Sequence, residues 1–133
     1  MNLMHVQIEE SLNSIQHITL EDLVTSHFNS VYTILNVFVE DPRTCLHFTE
    51  GVFRAMDLDN DLTDKAVYRT LVKQIRRIPQ KTQFLDGVPH ESVVCWLLKE
   101  TSELRYAEIA GLMGMEREQV KFSIAEVRGQ LLS

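Results

Sequence analysis

The chain reads as all-α, built from two small helical modules, and three observations predict this. Apolar residues recur at steps of three and four along most of its 133 residues. No stretch alternates apolar and polar residues between turn signals, as a half-buried strand would. The helical pattern is interrupted near the middle, where Pro79 and the stretch from Gln80 to Gly87 read as a connector. Composition agrees: 44% of residues are hydrophobic, with five Gly and three Pro, which excludes disorder along most of the length. A chain of this size buries roughly two-thirds of the surface its unfolded form exposes, so it folds without a metal or disulfide.

The elements follow in order. Residues 1–18 form an N-terminal arm or a short helix, with Val6, Leu12 and Ile15 as its apolar positions. A first long helix begins at Thr19, where Thr19 and Asp22 resemble a capping box, and carries Leu20, Val24, Phe28, Val31, Leu35 and Phe38 as its apolar stripe. A second begins at Asp41-Pro42: the Asp caps free amides, and Pro at the first helical position gives up a donor that had no partner. Leu46, Thr49, Phe53 and Met56 are its core face. The acidic stretch Asp57 to Asp61 reads as a solvated turn. A calcium loop counted from Asp57 would need Gly at its sixth position and Glu at its twelfth, where Leu62 and Tyr68 stand.

The third helix, about Thr63 to Ile78, turns Val67, Leu71, Gln74, Ile75 and Ile78 inward and presents Lys65, Arg69, Lys73 and Arg76 on its other side. The first module thus spans residues 19–79, the connector 80–87 and the second module 88–133. In the second, Pro89 opens a helix dense in apolar residues (Val93, Val94, Trp96, Leu97 and Leu98). A short helix runs from about Arg105 to Met113, and Gly114 takes the left-handed conformation that ends it. The last helix, Glu116 to Leu132, turns Val120, Ile124, Val127 and Leu131 inward. Helix, Gly-containing turn and helix form the skeleton of a helix-turn-helix.

Charge is unevenly distributed. The total is −6, yet residues 1–64 hold Arg43 and Arg54 as their only bases, while Lys65 to Lys81 holds six bases and no acid. Net acidity argues against unaided non-specific nucleic-acid binding, whose affinity comes mainly from clustered Lys and Arg. The basic ridge of the third helix is the exception. No apolar run approaches the roughly 20 residues of a membrane span, and MNLMHVQIEE lacks the basic start and apolar stretch of a secretory signal. The expectation is a cytoplasmic protein with no membrane partner, in which Cys45 and Cys95 stay reduced and buried.

Little in the sequence supports catalysis. His5, His17, His27, His47 and His90 share no ligand-type spacing with each other or with the cysteines, so no metal site is expected. There is no phosphate-binding Gly loop and no Ser in a nucleophile elbow, and neither a cofactor nor a small-molecule substrate is implied. The helix-turn-helix is more specific, since Ala110, Gly114 and Val120 fill the small, turn and apolar places it requires. Its second helix would enter the major groove by its first turns, with Arg117, Glu118, Gln119, Lys121, Phe122 and Ser123 facing bases and phosphates. Arg and Gln read base edges, and Lys holds a phosphate.

The residues Tyr106-Ala107-Glu108-Ile109-Ala110, then Leu112, Gly114 and Val120-Lys121, lie within a stretch from Val88 to Leu132. That stretch resembles the promoter-reading C-terminal domain of bacterial sigma factors of the extracytoplasmic-function type. Upstream, His27-Phe28-Asn29-Ser30-Val31-Tyr32, Asp41-Pro42 and Val52-Phe53-Arg54-Ala55 are similar to the family's N-terminal domain, which docks on RNA polymerase and opens the upstream melted element. The resemblance covers about residues 20–132 and implies a region-2-like three-helix bundle followed by a region-4-like helix-turn-helix domain. It implies promoter DNA and core RNA polymerase as partners, with an anti-sigma factor as a further one. Leu46, His47, Glu50 and Gly51 stand where the family carries polar, polymerase-gripping residues, Val67 and Gln74 where it carries Trp and Asn, and Ser123 and Glu126 where it generally carries Arg.

Two functional readings follow. In one, the protein is a sigma-like regulator that directs transcription initiation. It binds the distal promoter element through Arg117, Gln119, Lys121 and Ser123, and the nearer one through Arg69, Lys73, Arg76 and Arg77. In the other, it is a degenerate sigma-like interaction module that docks a protein partner through Leu46, His47 and Glu50, with Phe122 as a further contact, and does not read DNA.

Overall fold

The computed structural model describes residues 18–79 and 85–132. Within them the chain forms six α-helices and no strand: α1 (Leu20–Phe38), α2 (Pro42–Asp59), α3 (Asp64–Arg77), α4 (His90–Thr101), α5 (Tyr106–Met113) and α6 (Arg117–Leu132). The all-α expectation holds. Residues 1–17, including Val6, Leu12 and Ile15, lie outside the described residues, as does most of the connector.

Local chemistry sets most helix ends. The Thr19 hydroxyl accepts from the Asp22 amide and the Asp22 carboxylate accepts from the Thr19 amide, both at 3.1 Å, closing the expected capping box on α1. Asp41 caps α2 by accepting from the amide and hydroxyl of Thr44 at 3.1 and 2.6 Å, which holds its carboxyl below the usual range. Thr63 caps α3 by accepting from the Ala66 amide at 3.1 Å. Helix α2 runs further than expected: Asp57, Leu58 and Asp59 form its last turn, and the left-handed residue is Asn60 at φ 54°. Asn tolerates that conformation because its short polar side chain can bond locally.

Helices α1, α2 and α3 pack on one another, as do α4, α5 and α6, and the two triplets are joined where α1 meets α4 and α3 meets α5. Their buried side chains form one continuous core: Leu23, Ile34, Leu35, Met56 and Leu71 from the first triplet meet Leu98, Ile109 and Ile124 from the second. Each such side chain contributes about 1.5–3 kcal/mol of transfer free energy. Polar groups also cross the seam. The Ser30 hydroxyl donates to the Thr101 carbonyl at 3.3 Å, and the Phe38 and His90 rings lie 6.1 Å apart. Gly51 lets α2 approach α3, since a Cβ there would stand 3.2 Å from the Gln74 side-chain amide. Cys45 and Cys95 are buried free thiols, and burial pushes the Cys95 thiol up to about 11.

Five apolar expectations are corrected. Leu46 is 41% and Leu131 46% exposed, so neither belongs to the core face of its helix. Leu20, Val24 and Phe28 are only half-buried, because α1 directs Leu23 and Ile34 into the core together with the expected Val31 and Leu35. The acidic run Asp57 to Asp61 is a helix end more than a turn.

Candidate nucleic-acid interface

The helix-turn-helix is built by α5, Gly114 and α6. The Arg105 amide donates to Glu108 at 3.0 Å and begins α5. Gly114, at φ 69°, lets the chain reverse, and the Met115 amide returns to the Ala110 carbonyl at 3.0 Å. Ile109, Ala110, Met113, Val120, Ile124 and Val127 are buried and hold the two helices against α4. This leaves Arg117, Glu118, Gln119 and Phe122 exposed on the first turns of α6. Lys121 is half-buried, 3.6 Å from Glu118 and 5.6 Å from the centre of the Tyr106 ring, which Lys99 also covers at 4.6 Å.

Ser123 is corrected: it is 5% exposed, on the face of Val120, Ile124 and Val127, and cannot reach a base from there. Glu126, on the neighbouring side, accepts from the Ser92 hydroxyl at 3.2 Å. Arg128 donates to Glu100 through both Nη2 and Nε, at 2.7 and 3.2 Å, and this raises its already high pKa.

The basic ridge lies on α3, with Lys65, Arg69, Lys73, Arg76 and Arg77 all exposed. Two of its members are engaged within the protein. Arg69 pairs with Asp61 at 3.0 Å. Arg76 donates through Nη2 and Nε to the two carboxylate oxygens of Glu91, at 3.0 and 3.3 Å, and through Nη2 to the Met113 carbonyl at 3.0 Å. That carbonyl belongs to the last turn of α5, where no intrahelical donor remains. Arg76 therefore joins α3 to the residue before Gly114, and the ridge ends beside the helix-turn-helix turn. Lys73 and Arg77 have no ion pair among the described residues.

The docking residues form a separate patch. Leu46, His47 and Glu50 are exposed on α2, and Glu50 borders an apolar groove of about 340 Å³ between α1 and α2, lined by Leu20, Val24, Phe28 and Phe53 with Arg54 and Asp57 at its rim. Sequence reasoning missed this groove, though α1 carries more apolar positions than one buried face can take.

A polar cluster at the seam was also missed. His27 Nε2 lies 2.6 Å from Asp64, its Nδ1 lies 2.9 Å from the Tyr68 hydroxyl, and Ser30 stands 3.1 Å from that same hydroxyl. Because the Ser30 hydroxyl donates to the Thr101 carbonyl, the Tyr68 hydroxyl bridges Ser30 and His27 with a single proton of its own. Burial chiefly raises the Tyr68 pKa, so the phenol stays protonated. The cluster lines a cleft of about 650 Å³ with Glu103 and Glu108. Among the described residues no group of three or more His, Cys, Asp and Glu side chains is placed to hold a metal, and no helix is long and apolar enough to cross a membrane.

Comparison of the chain with family models, with curated proteins and with solved structures finds no match in any of the three.

Proposed function

We propose that this chain is a sigma-like regulator of transcription initiation that acts in the cytoplasm and binds promoter DNA together with core RNA polymerase. One observation carries the reading: α5, the left-handed Gly114 and α6 have the helix-turn-helix form, with Arg117 and Gln119 exposed on the first turns of α6 and the α3 ridge ending beside the turn. Arg117 and Gln119 read base edges and Lys121 holds a phosphate. Lys73 and Arg77 take backbone phosphates of the nearer element, and Arg69 and Arg76 join them only by giving up Asp61 and Glu91. The test is capture of core bacterial RNA polymerase by the tagged chain, followed by retention of a promoter library on the complex. Retention that falls with Arg117→Ala supports the reading, and capture of neither polymerase nor DNA refutes it.

The second reading, a partner-docking module, is favoured by the exposed Leu46 and His47 on α2, by Glu50 at the α1–α2 groove, and by Phe122, 69% exposed on α6. In that case Leu46→Asp abolishes polymerase capture, while DNA binding is absent from the start.

A further inference from the structure

The groove between α1 and α2 begins at the start of α1. Leu20, Val24 and Phe28 line it at steps of 4 and 4, all three only half-buried, and Phe53 lines it from α2 with its ring 6.5 Å from that of Phe28. Ile18, the residue before the Thr19 cap, packs against the core, so the preceding chain meets the protein surface two residues from Leu20, at the groove's end. The segment before Ile18 carries Met4, Ile8 and Leu12, also at steps of 4 and 4. At 1.5 Å per helical residue, each stripe is about 12 Å long.

We propose that residues 4–12 occupy this groove as a helical segment antiparallel to α1, with Met4, Ile8 and Leu12 set against Phe28, Val24 and Leu20. The tether selects both occupant and direction. The groove starts beside the point where the segment is joined and runs from Leu20 toward Phe28, so a segment tied at Ile18 must turn back to follow it. Asn13 and Ser14, residue types that favour turns, stand directly after the stripe. The seven residues from Asn13 to Thr19 reach about 23 Å when extended, well beyond the roughly 8–10 Å between packed helix axes. Glu10 falls opposite the stripe and Glu9 beside it, so neither acid enters the groove. A tether this short gives an effective concentration of about 1 mM, so a contact with an intrinsic dissociation constant of about 0.1 mM forms in about nine molecules of ten. A free partner of equal affinity must itself reach about 1 mM to do as well.

The docking rests on neither functional reading, since it needs only the groove and the segment joined to it. It adds to both that the apolar face beside Glu50 is closed within the chain itself, so a partner that uses the groove must first displace residues 4–12.

The experiment is amide hydrogen exchange of the full chain, read on the peptide that covers residues 4–12. A segment of this length is marginal as a helix on its own, so protection there reports docking. Exchange should be about tenfold slower than in an unstructured peptide and independent of chain concentration. Leu12→Asp should remove the protection from the side of the segment. Val24→Asp should remove it from the side of the groove, with far-ultraviolet circular dichroism showing that the six helices remain. Leu12→Asp, which alters none of those helices, decides the matter if Val24→Asp unsettles α1. A cross-link checks the placement: Ile8→Cys with Val24→Cys should form a disulfide under mild oxidation about tenfold faster than Ile8→Cys with Glu118→Cys, while Cys45 and Cys95 stay buried. Exchange at the unstructured rate, protection that survives either substitution, or cross-linking no faster than the control overturns the proposal. Protection that grows with chain concentration, or that appears only with added core polymerase, also overturns it and gives the groove to a second copy or to that partner.

Discussion

Replacing Arg76 by Ala removes a polar tie between the two helical triplets. The side chain makes a two-pronged pair with Glu91 and a bond to the Met113 carbonyl, and its guanidinium is held more firmly protonated, chiefly by the Glu91 bond. Both partners of the ion pair are nearly half exposed, at 44% and 45%, so solvent screening limits that pair to about 0.5 kcal/mol. The bond to the Met113 carbonyl, an end group of α5 with no helical donor, adds about 0.5–1 kcal/mol. The variant should lose about 1–1.5 kcal/mol, measured by urea unfolding followed by circular dichroism, and should melt about 3–5 °C lower. Arg76→Lys keeps the charge without the planar fork and should recover less than half of the loss. A double-mutant cycle with Glu91→Ala should return a coupling of about 0.3–0.7 kcal/mol, diminishing in high salt. A loss under about 0.3 kcal/mol with no coupling would refute the account of how α3 is fastened to α4 and α5.

Three further predictions concern the core, the turn and the thiols. Leu98→Ala, at a fully buried position, should cost about 2–5 kcal/mol in a single cooperative transition that both triplets share, seen as coincident unfolding of probes placed in each. Gly114→Ala forces a Cβ into the left-handed region and should cost about 1–2 kcal/mol, although the added methyl meets no neighbour. The Cys95 thiol, raised from 9.0 to about 11 by burial, holds its proton more tightly folded than unfolded. Its contribution is therefore fully present below pH 9 and lost as pH rises toward 11, a decline that Cys95→Ala should lessen, and alkylating reagents at pH 8 should label Cys95 only on unfolding.

The helix ends were the most legible part of the fold because each is decided within about four residues. Thr19 with Asp22, Asp41 with Pro42, and Gly114 were all recognisable from their neighbours, and each caps or turns the chain where expected. Burial was less legible, because it depends on what a helix packs against. Helix α1 has enough apolar residues for two faces, and only the placement of α2, α3 and α4 around it leaves Leu20, Val24 and Phe28 at the edge. Ser123 could have been placed correctly, since it neighbours Val120 and Val127 on the helical surface. The partners of Arg76 and His27 could not, as Glu91 is 15 residues, Met113 37 residues and Asp64 37 residues away. Such contacts follow from how the triplets pack, a property of the whole fold. Arg117, Lys73 and Arg77 are exposed, as expected, while nothing local signalled that Arg76 is engaged in the seam.

The salt dependence of duplex DNA binding tests the central claim most directly, with fluorescence anisotropy as the readout and core polymerase present. Three phosphate contacts from Lys73, Arg77 and Lys121 predict a slope of log affinity against log salt of about −2.7, and Arg77→Ala should flatten it by about 0.9. Binding with a slope near zero, or one unchanged in Arg77→Ala, would contradict the account.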